Sequence, residues 1–145
     1  MGTGDQVVFA SAQRKLIPSG SITPIHLSQQ SDSAHVLEKD GGIGFLTEGW
    51  YEVLLRVDWD PSDSSGTRFS HTKIPGQEPL HSEAISSSVL NVISEGRQLL
   101  RGNSLFGPDR TTTLVLEVWQ DSGHDIEVRY AELIVRELRV PWHID

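Results

Sequence analysis

Hydrophobic and polar residues alternate most regularly between residue 49 and residue 60. Every second position there is apolar, and most positions in between are charged. A period of two is typical of a β-strand with one buried side and one solvent-facing side. Trp50 and Leu54 interrupt the polar side, so we expect them to form a second apolar contact surface. The alternating apolar residues are Tyr51, Val53, Leu55, Val57 and Trp59.

A second alternating pattern lies late in the chain, in residues 114–120. Its even-numbered positions are aliphatic, which places Val115 and Trp119 on the other side of the predicted strand. A turn-rich stretch, residues 121–125, separates it from another alternating segment that begins at Ile126. Two alternating segments around a short turn predict an antiparallel strand pair.

Short apolar segments and turn residues succeed one another through the rest of the chain. Residues 39–42 are Lys-Asp-Gly-Gly, which predicts a hairpin turn, and residues 60–66 predict a surface loop. The segment 84–93 also fits a helical spacing, although its β-branched residues favour a strand. Gly96 and Gly102 are expected to interrupt the next segment of the chain. About eight to ten short strands predict an all-β fold, a two-sheet antiparallel sandwich or a barrel.

Composition and charge narrow the functional classes. The 145 residues suffice for one substantial core, so we expect residues 1–145 to form a single domain. The net charge of −8 disfavours nucleic acid and anionic membranes as partners. Without cysteine there can be no disulfide and no thiolate nucleophile. No apolar run reaches the roughly 20 residues of a membrane-spanning helix, and no signal peptide is recognisable, so we expect a soluble protein of undefined compartment.

The sequence contains no complete catalytic motif that we recognise. The nucleophile elbow Gly-x-Ser-x-Gly is approached at residues 102–106, where the last position is Phe106. The six histidines never form the close pairs that begin metal sites in jelly-roll enzymes. We therefore expect no catalytic residues and no enzymatic activity. A cupin-like jelly roll that binds a small ligand or acts as an enzyme stays the alternative, since folding could bring distant histidines together.

Three carboxylates lie close together where the first alternating strand ends. Asp58, Asp60 and Asp63 supply the oxygen ligands that calcium prefers, although their spacing differs from that of a helix-loop-helix calcium site. A solvated acidic loop that begins with an Asp-Pro turn is the alternative interpretation. Calcium is the one cofactor that the sequence suggests.

Short motifs occur in a defined order between about residues 43 and 140. Their order resembles that of the tumour necrosis factor and complement globular-head superfamily, in which a Gly-x-Tyr-x-aliphatic strand lies mid-chain and an aliphatic strand ending near Ser-Gly comes late. The motifs are Gly49-x-Tyr51-x-Val53, Val57-x-Trp59, Gly66-x-Arg68, Leu114-x-Leu116-x-Val118-Trp119-Gln120-x-Ser122-Gly123 and Leu133-x-Val135.

The resemblance implies a jelly roll of about ten strands that assembles as a homotrimer. It also implies a protein or glycan ligand, bound in clefts between subunits or on exposed loops. If the two alternating strands lie in one sheet, as the resemblance implies, their outward residues are neighbours. We therefore predict a trimer interface that consists of Trp50, Leu54, Val115 and Trp119.

The chain lacks a collagen-like repeat and cannot form a disulfide. A microbial or phage-type relative therefore fits the sequence at least as well as an animal cytokine does. A structural trimer on a virion or spore surface stays open beside a receptor-binding module.

Overall fold

The computed structural model of the protein describes residues 3–46, 49–62, 66–73, 85–87, 93–102 and 113–138. Within these segments the backbone forms strands and turns, without a helix of the length and apolarity that a membrane crossing requires. In chain order the strands are β1 (Thr3–Ala10), β2 (Lys15–Ile17), β3 (Thr23–Ile25), β4 (Ser28–Gln29), β5 (Val36–Lys39), β6 (Gly42–Phe45), β7 (Gly49–Trp59), β8 (Arg68–Lys73), β9 (Ile85–Ser87), β10 (Ile93–Gly102), β11 (Val115–Gln120) and β12 (Ile126–Leu138).

The most regular alternating segment forms β7, which lies inside the larger of two main sheets. The order of strands in this sheet is β10-β7-β12-β1-β4, and β2 pairs with the first residues of β12. All of these pairings are antiparallel. The prediction of a strand at this position is confirmed.

The strand β10 pairs with β7 over its whole length, from Ile93 to Gly102. Gly96 lies inside it and pairs with Leu55, so the prediction that Gly96 interrupts the segment is wrong. The neighbouring strand supplies backbone hydrogen bonds whatever the side chain is, which lets the strand continue through a glycine.

The smaller main sheet has the order β3-β11-β8-β9. The hairpin β5–β6 joins it through two backbone hydrogen bonds of 2.8 Å between Ile43 and Leu114. The turn of this hairpin contains Asp40 at φ 51° and Gly41 at φ 80°. Positive φ at both central residues is the geometry of a tight two-residue hairpin turn, so the turn predicted at residues 39–42 is confirmed.

The two main sheets pack face to face around one core, which confirms the predicted two-sheet antiparallel sandwich. Trp59 is buried there, and its indole Nε1 donates to Ser94 Oγ at 3.1 Å. The guanidinium of the buried Arg68 lies 5.5 Å from the Trp59 ring, a distance at which a cation is attracted to the ring face. The inward residues of β7 in this core are Tyr51, Val53, Leu55, Val57 and Trp59.

The segment around residues 121–125 connects the two sheets instead of forming a hairpin. Strand β11, which precedes it, pairs with β3 and β8, whereas β12, on its other side, pairs with β7, β1 and β2. The prediction that these alternating segments pair with each other is therefore wrong. The crossing is held by Asp121, whose Oδ1 accepts a hydrogen bond of 2.6 Å from the amide of Thr67.

Candidate functional site

The outer face of the larger sheet carries a row of aliphatic side chains across three neighbouring strands. Leu54 of β7 is paired with Ile134 of β12, and Ile134 is paired with Val8 of β1. Leu54 is 36% exposed, and Ile134 and Val8 are half-buried. We call Leu54, Ile134 and Val8 the aliphatic row. A shallow groove of about 400 Å³ lies beside it, with Leu54 and Ile134 among its lining residues.

Further apolar residues lie toward both ends of the same face. Trp50 is 45% exposed and is paired with Leu138 of β12. At the other end Ile93, an exposed residue of β10, is paired with Asp58. The expected apolar surface around Trp50 and Leu54 thus lies on this sheet, and it extends over strands other than those predicted.

Between Trp50 and the aliphatic row lies a carboxylate held by two arginines. Glu52 is only 5% exposed, and it accepts hydrogen bonds from Arg97 of β10 and from Arg136 of β12. We call Glu52, Arg97 and Arg136 the arginine clamp. The alternating pattern placed Glu52 on the solvent side of the strand, but its neighbours remove it from water. Burial of a carboxylate is tolerated because both of its oxygens accept charged hydrogen bonds.

On the other side of the aliphatic row the face is acidic. Arg56 donates to Asp58 at 2.8 Å and lies 4.0 Å from Glu95, and the hydrogen bond to Asp58 raises the pKa of Arg56. Tyr130 donates to Glu132 at 2.7 Å, and this bond, with burial, raises the pKa of Tyr130 to about 12. The carboxylates on this side of the row are therefore already engaged by groups of their own chain.

The other two residues of the predicted interface lie on the opposite side of the molecule. Val115 and Trp119 belong to β11 in the smaller sheet, so the prediction that their strand shares a sheet with residues 51–59 is wrong. Trp119 packs on Phe69 with ring centroids 5.0 Å apart, within its own chain. The four predicted residues therefore cannot form one patch on one subunit.

The expected calcium ligands lie at the end of β7. Asp58 pairs with Arg56, while Asp60 accepts hydrogen bonds from Ser62 and lies 3.5 Å from Arg129. Asp63 lies outside the described residues. Within the described ranges no three metal-ligating side chains converge. Calcium binding stays a prediction, and an unchanged Tm on adding calcium to chelator-treated protein would contradict it.

A second groove, of about 770 Å³, lies at the edge of the sandwich near the hairpin turn. Its lining residues include Arg14, Lys15, His26, Asp40 and Val115. The described lining contains one histidine and one carboxylate, whereas a catalytic zinc usually has three protein ligands. The outward side of Val115 thus faces a groove of its own chain.

Sequence reasoning missed Ile134 and Val8, although the sequence held a signal for both. Val8 lies between Val7 and Phe9, and Ile134 lies between Leu133 and Val135. Consecutive apolar residues in a strand indicate that both of its sides are covered. The inward residues of these two runs are in the core, which leaves Val8 and Ile134 for the outer face.

Comparisons with known proteins show a shared fold. By sequence, no family model and no curated protein matches the chain. By structure, the chain is similar to the PRD1 vertex protein P5, at a TM-score of 0.71 and 14% identity over 97% of this chain and 100% of that one. It is similar to Eiger TNF from S. frugiperda at a TM-score of 0.60 and 10% identity, covering 95% and 94% of the two chains.

Murine APRIL is another structural neighbour, with a TM-score of 0.56, 10% identity, and coverage of 92% of this chain and 100% of that one. These similarities show that the chain adopts a tumour necrosis factor-like jelly roll. The expectation that the sequence resemblance gave for the fold is confirmed. At such identities the likeness concerns the fold alone.

Proposed function

We propose that the protein is a non-enzymatic interaction module that assembles as a closed homotrimer through the outer face of its larger sheet. The observation that carries this proposal is the aliphatic row of Leu54, Ile134 and Val8, with Trp50 and Leu138 farther along the same face. Contiguous apolar surface of this kind on a soluble protein usually marks a contact with another molecule.

The free energy of burying apolar surface favours assembly over leaving the apolar face of the larger sheet in contact with water. Burial of a few hundred Å² of apolar surface contributes several kcal/mol per subunit at about 25 cal/mol/Å². The net charge of −8 on each chain opposes association. Charges farther apart than about 8 Å are screened at physiological ionic strength, so apolar burial outweighs this repulsion.

Closure limits the size of the assembly. In a cyclic trimer each copy covers the apolar face of a neighbour, and no such face remains free to recruit more copies. An open arrangement of the same contact would instead form fibres.

The interface is tested by a charge in the aliphatic row. Ile134→Glu should convert the trimer into a monomer, because the carboxylate would be buried without a partner in the assembly. The matched control is Ile22→Glu, which changes an aliphatic residue that is 55% exposed and lies just before β3 of the smaller sheet. Light scattering after size exclusion measures the mass, and a wild-type monomer at micromolar concentration contradicts the proposal.

The ligand of this module is proposed to be a protein or glycan that docks on loops or in clefts between subunits. A second candidate role is that of a structural trimer on a virion surface. It is favoured by the similarity to the PRD1 vertex protein P5, which covers 100% of that chain. Density-gradient fractions of particles from the source, probed with an antibody, separate the two roles: co-migration with virions supports the structural one.

A further inference from the structure

The arginine clamp has more positive than negative charge. Arg97 and Arg136 share one carboxylate, that of Glu52, which leaves a surplus of one positive charge. Of the described residues, no second carboxylate lies within ion-pair distance of either arginine. The surplus stands out on a chain whose net charge is −8.

Several donors of the clamp have no acceptor within the described chain. Arg97 binds Glu52 through Nε, and among the described residues nothing accepts a hydrogen bond from the terminal nitrogens of its guanidinium. Arg136 binds Glu52 through Nη2, and its Nε is buried without an acceptor among the described residues. Buried donors without a partner are rare in proteins and often mark the place of an ion or a water molecule.

Assembly through this face makes the surplus charge costly. Arg97 is paired with Leu54, and Arg136 lies two residues from Ile134, so a contact that covers the aliphatic row also withdraws water from the clamp. In a cyclic assembly each copy contributes the same surplus charge. Buried like charges destabilise the assembly unless a counter-charge joins them.

The nearest alternative source of counter-charge is the acidic side of the same face. Its carboxylates are already engaged, since Asp58 and Glu95 lie beside Arg56 and Glu132 accepts from Tyr130. Removing one from its partner would cost the interaction that it already makes. An anion from solution faces no such competition.

We propose that the assembled protein binds a small inorganic oxyanion, phosphate or sulfate, between subunits at Arg97 and Arg136. This inference rests on the proposed trimer, because one chain alone leaves the clamp open to water. The planar guanidinium fork presents parallel donors that match the oxygens of such an anion. Chloride is a single atom, so it has no pair of oxygens to accept two parallel hydrogen bonds from one guanidinium.

The test is sedimentation equilibrium with sulfate as the probe, compared with chloride at equal ionic strength. If the anion binds the assembly and not the monomer, the association constant of the trimer should rise about tenfold, for each anion bound per trimer, with each tenfold increase in sulfate above its Kd. A trimer whose association constant is the same in sulfate and in chloride overturns the inference and leaves the proposed function intact. A monomer in both salts overturns the proposed function as well.

Variants separate a specific site from the general effect of sulfate on protein association. Arg97→Gln leaves Glu52 and Arg136 as a neutral pair, so this variant should assemble strongly in chloride and lose its response to sulfate. Arg129→Gln removes an arginine that pairs with Asp60 and Glu127 outside the clamp, and it should keep the wild-type response. Equal sulfate responses in the Arg97→Gln variant and the wild type contradict the site.

Discussion

The two outer faces of the sandwich both carry apolar and charged residues. The faces differ in how far other side chains of the same chain cover these residues. On the smaller sheet Trp119 packs on Phe69, and the half-buried Glu117 pairs with His71 at 2.8 Å. On the larger sheet the aliphatic row runs beside an open groove of about 400 Å³. An outward apolar residue therefore indicates a contact with some other group. Whether that group belongs to the same chain depends on the side chains that the neighbouring strand presents.

The largest expected difference between the faces is in assembly. Leu54→Glu places a charge in the aliphatic row and should shift the mass from trimer to monomer. Val115→Glu places the same charge on the smaller sheet, where Val115 is paired with Lys73, and should leave the mass unchanged. Light scattering measures both, and dissociation of the Val115→Glu variant would show that the smaller sheet also contributes to the interface.

The next effect concerns the arginine clamp and the free energy of unfolding. Glu52→Lys would place a positive charge at the buried position of Glu52, beside the partly exposed Arg97 and Arg136, and should destabilise the protein by about 2–3 kcal/mol. Asp32→Lys is the control because Asp32 is an exposed carboxylate in the loop between β4 and β5, and its expected change is within about 0.5 kcal/mol. Urea denaturation at one fixed protein concentration measures both; similar values would contradict the burial of Glu52.

On the smaller sheet the corresponding polar pair should contribute to stability alone. Glu117→Ala leaves the buried His71 without its carboxylate partner and should cost about 1–3 kcal/mol, with no change in mass. Lys73 lies farther from Glu117, at 3.8 Å, and Lys73→Ala should cost less than about 1 kcal/mol. Thermal unfolding compares them, and a change of mass in either variant would contradict the division between the faces.

The smallest effect appears at alkaline pH on the larger sheet. The pKa of Tyr130 is about 12 in the folded chain, against a usual value of about 10. Between these values the unfolded state binds fewer protons than the native state, so the free energy of unfolding falls as pH rises. The contribution of the Tyr130–Glu132 bond is complete below about pH 10 and is lost toward about pH 12.

Tyr130→Phe should remove this part of the alkaline decline. The phenol is partly exposed, so the difference in stability between wild type and variant should stay below about 1 kcal/mol. Urea denaturation at several alkaline pH values measures it. Parallel pH curves for the two proteins would contradict a bond that favours the protonated tyrosine.

Of the candidate site, only Trp50 and Leu54 could be predicted from sequence. Trp50 and Leu54 stood out because a single alternating strand shows which residues break its pattern. Glu52 could not be recognised as buried, because its partners Arg97 and Arg136 lie 45 and 84 residues away in the chain. Strand pairing decides which residues so far apart in the chain come into contact. A local sequence pattern does not specify that pairing.

The sequence by itself determined the regularly alternating strands, such as β7 and β11, and the tight turn at residues 39–42. Alternating burial and positive φ act within a few residues, so their signals are local. Tertiary structure decided which sheet each strand joined. Backbone hydrogen bonds are alike for any partner strand, and the turn at residues 121–125 suits a crossing between sheets as well as a hairpin. Only the packing of two complete inner faces selects one arrangement, and it separated Leu54 from Trp119.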